Sequence, residues 1–188
     1  MAETKDEVLR EADEKMQKAV SVNREDLGSI RSGRATPALL NRISIEYYGA
    51  HVPLNTVANI SVPEPRLIVI APYDASSIAA IEKAILSSDL GVNPNNDGNV
   101  IRLSFPELTE DRRKELTKLA HQRAEEGRIA VRGVRRHAKQ ELERMKKDHS
   151  LSEDEERGAE GQLQKLTDKH VAEVDENLKR KEAELAEI

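Results

Sequence analysis

"TEDRRKELTKLAHQRAEEGRIAVRGVRRHAKQELERMKKD", residues 109–148, decides how this chain folds. It contains no proline. Leu116, Ala120, Ala124, Gly127, Val131, Val134, Ala138, Leu142 and Met145 recur at the three-to-four spacing of one helical face. Thr109 suits an N-cap, and Glu110 and Asp111 suit the positive end of a helix dipole. The stretch predicts a single helix about 60 Å long at 1.5 Å per residue. Inside it, Gly127 and Gly133 each cost about 1 kcal/mol relative to alanine. The reading is that both mark close packing against a neighbour.

So narrow an apolar stripe gains too little to be stable alone in water, so this helix needs partners. Two flank it. In the N-terminal segment Leu9, Ala12, Met16, Ala19, Asn23, Leu27 and Ile30 keep approximate helical spacing. After "DHSLSEDEE", Ser152 and Glu155 form a capping-box signature, followed by Leu163, Leu166, His170, Val174, Leu178 and Leu185. Three such helices can bury one another as an elongated bundle.

Residues 34–104 differ in composition, holding all three tyrosines, most of the prolines and the β-branched runs. "ISIEYYG" alternates as a strand does, with Tyr47 and Tyr48 pointing to opposite faces. "VANISV", "RLIVIAPY" and "NVIRLSF" are further strand candidates. "VPEPR" reads as a turn because two prolines do not fit a ladder, and "NPNNDGN" reads as a loop. "DASSIAAIEKAILSSDLG" reads as a short helix started by Asp74 or Ser76, facing the sheet through Ile78, Ile81 and Ile85 and ended by Gly91. The fold class is therefore α+β in two domains. An elongated three-helix bundle spans 1–33 and 106–188, and a small mixed α/β domain, 34–105, is inserted into it. The connections near 31–37 and 104–109 contain Gly33, Pro37 and Pro106, breakers that suit a hinge.

Composition narrows the function. The chain has 188 residues, of which 35% are charged and 2% aromatic. There is no cysteine, hence no disulfide, thiol nucleophile or cysteine-based metal site, in keeping with a reducing cytoplasm. No run is long and apolar enough for a membrane span. There is no phosphate loop, nucleophile elbow or paired-histidine zinc motif. His121 with Glu125 and His137 with Glu141 are spaced i, i+4, which reads as surface hydrogen bonding, since two ligands do not close a metal site. No catalytic residue, cofactor or metal is expected.

Charge, by contrast, is informative. The net is −5 overall, yet residues 109–148 carry +5 and residues 150–188 carry −6. Within the basic helix Arg128, Arg132, Arg135, Arg136 and Lys139 span only about 100° of surface. They lie roughly opposite Val131, Val134 and Ala138. Guanidinium forks match phosphate oxygens, and without aromatic platforms the expected mode is recognition of the backbone and shape of structured RNA. The competing expectation is a solvated face paired with the acidic third helix. Arg31 and Arg34, at the end of the first helix, would extend the basic surface.

"EYYG" (46–49), "SDLGVNPNNDGNVIRL" (88–103), "LTEDRRKELTK" (108–118) and "VRGVRRHA" (131–138), with "IRSGRATP", "SEDEE" and "LQKLTD", closely resemble the bacterial ribosome recycling factors over essentially the whole chain. The resemblance implies a three-helix bundle and a smaller α/β domain on two flexible linkers, in a tRNA-like shape. It implies a cytoplasmic, monomeric factor that acts after termination. Together with the GTPase elongation factor G, such a factor splits the ribosome into subunits. The bundle would bind large-subunit rRNA, and the smaller domain would move and meet elongation factor G. Arg31, Arg113, Arg132 and Arg135 look like the family's RNA-contacting arginines, with Arg34, Arg128 and Arg136 in support. Gly133 and His137 stand where the family often has Asn and Asp, and these departures leave the arginines in place. The rivals are a coiled-coil adaptor binding RNA or protein, and a small enzyme with a site in the middle domain.

Overall fold

Helix-forming stretches broken by short proline- and glycine-bearing segments produce two compact units among the described residues, 4–31 with 110–187, and 32–109. The computed structural model describes residues 4–187. The ends of the expected bundle, 1–3 and 188, lie outside the described residues.

The first unit is three helices packed pairwise. Helix α1 (Lys5–Gly28) begins at Thr4, whose hydroxyl accepts from the Glu7 amide. Helix α3 (Glu110–Lys147) is 38 residues long, and α4 (Glu153–Ala186) follows a tight turn. The expected capping box is present: Ser152 and Glu155 satisfy each other's backbone amides. The core is aliphatic, built from Val8, Ala12, Met16, Val20 and Leu27 of α1, Leu116, Val131 and Leu142 of α3, and Leu163, Val174 and Leu178 of α4. Val20 is buried where Ala19 was expected. Thr167 is likewise buried while Leu166 is only half-buried. Helix α1 ends at Gly28, earlier than Gly33, because the Ser29 amide and hydroxyl cap the carbonyls of Glu25 and Asp26 and the Ile30 amide caps that of Leu27. Arg31 and Arg34 therefore lie beyond the helix rather than at its end.

The two glycines of α3 behave differently. Asn23, 3% exposed, donates its Nδ2 to the Arg123 carbonyl at 2.7 Å and lies directly over Gly127. A Cβ on Gly127 would stand 2.5 Å from Asn23 Cγ, whereas one on Gly133 would meet nothing within 4 Å. Close packing explains Gly127 and not Gly133. Elsewhere in this core His170, 2% exposed, places Nε2 at 2.6 Å from Asp13 Oδ1 and so ties α4 to α1.

The second unit joins a hairpin, β1 (Ser44–Tyr47) with β2 (Ala50–Pro53), to a four-stranded antiparallel sheet. The sheet strands are β3 (Ala58–Glu64), β4 (Leu67–Pro72), β5 (Pro94–Asn96) and β6 (Ile101–Ser104), in the order β3-β4-β6-β5. Helix α2 (Ile78–Leu86) covers one face with Ile78, Ile81 and Ile85. Ile68 and Ile70 pair across the ladder with Leu103 and Ile101, and all four are fully buried. Such cross-strand pairs are the unit of sheet stability. Three expectations need correction. Pro63 sits inside β3 rather than in a turn, because β3 is an edge strand and its ladder is irregular between Ser61 and Glu64. The asparagine run is not wholly loop. Residues 94–96 form edge strand β5, and Asp97 then accepts the amides of Asn99 and Val100 and the Arg102 guanidinium. Those contacts, the Val100 amide foremost, hold the Asp97 carboxyl well below the usual carboxylate range. Finally, α2 ends at Leu86, capped through Ser87, and Gly91 serves a later turn at φ +69°.

Gly127→Ala is expected to destabilise the bundle by about 1–3 kcal/mol, since displacing buried Asn23 outweighs alanine's helix propensity. Gly133→Ala is expected to stabilise it by up to about 1 kcal/mol. Urea unfolding of the two variants followed by circular dichroism checks both signs.

Candidate nucleic-acid interface

An α-helix turns 100° per residue, so packing one arc of α3 inward fixes where every other side chain points. Val131, Ala138 and Leu142 occupy the inner arc. Three of the five cations, Arg128, Arg135 and Lys139, reach across to α4. Arg128 is the most enclosed, its side chain 20% exposed. Its Nε donates to Asp175 Oδ1 on α4 at 2.8 Å, and its Nη1 donates to Glu125 Oε2 at 2.9 Å. Partial burial works against its charge, but these two carboxylates outweigh it and raise its pKa above the ordinary arginine value. Arg135 donates to the Gln164 side-chain oxygen at 3.1 Å, and Lys139 Nζ lies 3.6 Å from Glu160 Oε1. Both partners are on α4. The expected alternatives are therefore mixed within one stripe, part of which pairs with the acidic helix.

The rest points outward. Arg132 reaches only Glu125, at 3.5 Å, and its side chain is 52% exposed. Arg136 is exposed and makes no ion pair or hydrogen bond among the described residues. Exposed pairs at such distances are worth about 0–1 kcal/mol, so Arg132 and Lys139 can exchange carboxylate for phosphate at little cost. The stripe thus holds one structural cation, Arg128, and four others, Arg132, Arg135, Arg136 and Lys139, available to a polyanion.

Sequence reasoning missed one contributor. Arg157 of α4 joins Arg135 and Lys139 around a notch of about 260 Å³ that is also lined by Glu160, Gly161 and Gln164. Its signal was present, since it is the single cation in residues 150–164. Not every expected residue joins the stripe. Arg113 lies in the first turns of α3, half-buried, with its Nε enclosed and without a hydrogen-bond partner. Arg31 belongs to the first unit and Arg34 to the second. His121 does not serve Glu125 but pairs with Glu182 of α4, and no metal-holding cluster occurs among the described residues.

The expected hinge residues stand within the second unit. Gly33 has φ +77°, and a Cβ there would touch Leu108 at 3.2 Å. The Ala35 amide donates to the Pro65 carbonyl and the Phe105 amide to the Arg66 carbonyl, both at 2.8 Å. The two connecting segments thus fasten to the same β3–β4 turn. Pro37 opens a short 3₁₀ turn, and Pro106 lies between β6 and α3.

Comparison with known proteins is consistent across the chain. The family model described as ribosome recycling factor matches residues 23–185. The ribosome-recycling factor of Rhodococcus jostii is 57% identical over 183 residues, covering 97% of this chain and 99% of that protein. That of Saccharopolyspora erythraea is 56% identical with the same coverage. A solution structure of a ribosome recycling factor superposes with a TM-score of 0.81 at 42% identity, covering 100% of both chains. The T. thermophilus factor, described with E. coli elongation factor G bound to the E. coli post-termination complex, gives 0.65 at 46% identity over 97% of this chain and 98% of that one.

Arg128→Ala is expected to lower the bundle's unfolding free energy by about 1 kcal/mol, because it leaves Asp175 without its partner and Glu125 with only the weaker contact to Arg132. Arg136→Ala is expected to stay within about 0.5 kcal/mol of wild type. Thermal unfolding of both variants side by side separates the structural cation from the free one.

Proposed function

The chain belongs to the ribosome recycling factor family, translation factors that catalyse no reaction of their own, and on that premise we propose how it engages the ribosome. The bundle anchors to large-subunit rRNA through Arg132, Arg135, Arg136 and Lys139, with Arg128 holding the stripe in place. The observation that carries this reading is the outward arc of α3, where Arg136 is exposed and unpaired and Arg132 is only weakly paired. Each cation neutralises a phosphate and releases its counterion, which supplies affinity without sequence readout. Arg31, Arg34 and Arg113 make further backbone contacts outside the stripe, and Arg157 widens it.

Elongation factor G is the second partner in this proposal, as it is for the relative described on the post-termination complex. GTP hydrolysis by that factor drives the second unit, and segments 31–37 and 104–109, with Gly33, Pro37 and Pro106, serve as the hinge. Two parallel covalent connections let a unit rotate while its own sheet and core stay intact. The load passes through the anchored bundle into the contacts between subunits, and the ribosome separates for reuse.

Neutralising four phosphates predicts a slope of log affinity against log salt of about −3 to −3.6, so affinity should fall about 60- to 150-fold between 50 and 200 mM salt. Filter binding to 70S ribosomes measures it, and a flat salt profile excludes the stripe as anchor. In light-scattering assays with post-termination ribosomes, elongation factor G and GTP, wild type should split ribosomes. Arg132→Ala/Arg135→Ala should remain folded and fail through lost binding. Equal splitting by both proteins would move the anchor elsewhere.

A further inference from the structure

All three tyrosines of this aromatic-poor chain belong to the second unit. Tyr47 ends β1, and its ring meets that of Tyr48 edge to face, with centroids 4.5 Å apart. The Tyr48 hydroxyl donates to Asp74 Oδ2 at 3.5 Å, and Tyr73 directly precedes Asp74 at the end of β4. Tyr47 packs on the core, but Tyr48 is 84% exposed and Tyr73 is 73% exposed.

Tyr48 also breaks a local rule. Tyr47 pairs with Ala50, so Tyr48 and Gly49 form a two-residue hairpin loop with φ of +47° and +80°. Such a loop favours asparagine or glycine at its first position, because a Cβ is strained there. A bulky ring in that strained position, left in water, repays little through burial. Rule-breaking residues without a packing gain mark functional surfaces.

The charge beside the rings selects the partner. The Asp74 carboxylate accepts the Ser76 amide at 2.9 Å, which lowers its pKa and keeps it ionised. Glu46 stands next to Tyr47 on β1. Among the described residues no cation pairs with Asp74 or Glu46. Arg66 pairs with Glu107 and Arg102 with Asp97, Arg42 stands at the other end of the hairpin from Tyr48, and Lys83 lies in the last turn of α2. An anionic patch with open ring faces repels phosphate and attracts a planar cation.

We propose that Tyr48 and Asp74 form a docking site for a protein segment that presents an arginine, its guanidinium lying on the Tyr48 ring and donating to the carboxylate. The site is on the other unit from the arginine stripe, and it stands or falls independently of the rRNA anchor.

With only three tyrosines, the tyrosine ring resonances in proton–carbon spectra of the full-length protein single out Tyr48. The probes are acetyl-Gly-Arg-Gly-Arg-Gly-amide, the same peptide with citrulline in place of arginine, and a ten-residue oligouridylate. The arginine peptide is expected to shift the Tyr48 ring saturably. The citrulline peptide should bind about fivefold more weakly, and Asp74→Asn should weaken the arginine peptide about as much. Tyr48→Asn suits the turn, so it should raise the melting temperature while also weakening the peptide. Arg132→Ala/Arg135→Ala should leave peptide affinity unchanged. Equal binding of the two peptides, no saturable shift with arginine, or ring shifts from the oligouridylate alone would each overturn the proposal.

Discussion

The first unit depends on how closely α1 and α3 approach one another. With no tryptophan and the chain's few aromatic residues outside the bundle, its core must be made from aliphatic and small side chains. Ala120, Ala124 and Gly127 of α3 are fully covered, and Asn23 of α1 lies over Gly127 with its amide on the Arg123 carbonyl. That contact fixes the rotation of α3 about its own axis. A helix has no freedom left once one arc is set, so the same contact determines which cations reach α4 and which face outward.

Electrostatics then divides the cations of α3 into two groups. A helix of net +5 lies against a third segment of net −6, and long side chains on the flank find carboxylates across the seam. Arg128 between Asp175 and Glu125 is the most enclosed of these. Near the turn into α4, Lys146 bonds to the buried Glu156, and Lys5 reaches Glu155 from α1. The Glu156 contact raises the Lys146 pKa. These pairs spend part of the positive charge on holding the bundle together. What remains on the outer arc is a short row at helical spacing, a geometry suited to a phosphate backbone rather than to base edges.

The second unit shows how neighbours override local preference. Pro63 is tolerated within β3, and Pro94 within β5, because both strands are edges and an edge residue needs no partner for its missing N–H. The β2 strand, with His51 and Pro53, and β5, with two asparagines, carry weak strand signals and pair only because β1 and β6 offer them ladders. One of Tyr47 and Tyr48 is packed and the other exposed, as alternation implied. The cause is different, however, since Tyr48 has left the strand for a left-handed turn.

The sequence by itself determined the helices, their inner arcs and the capping box at Ser152, because these follow from spacing along one chain and from side chains three residues apart. It also determined the strand-forming runs at 66–73 and 99–105, and the concentration of positive charge on residues 109–148. Only the tertiary structure decided that Gly127 is packed while Gly133 is open, that Arg128 is bound while Arg136 is free, and that Arg157 from another helix joins the same surface. Periodicity gives a residue's angle about its own helix axis. Where the neighbouring helices stand around that axis is set by the close approach of α1 and α3, which no single segment encodes.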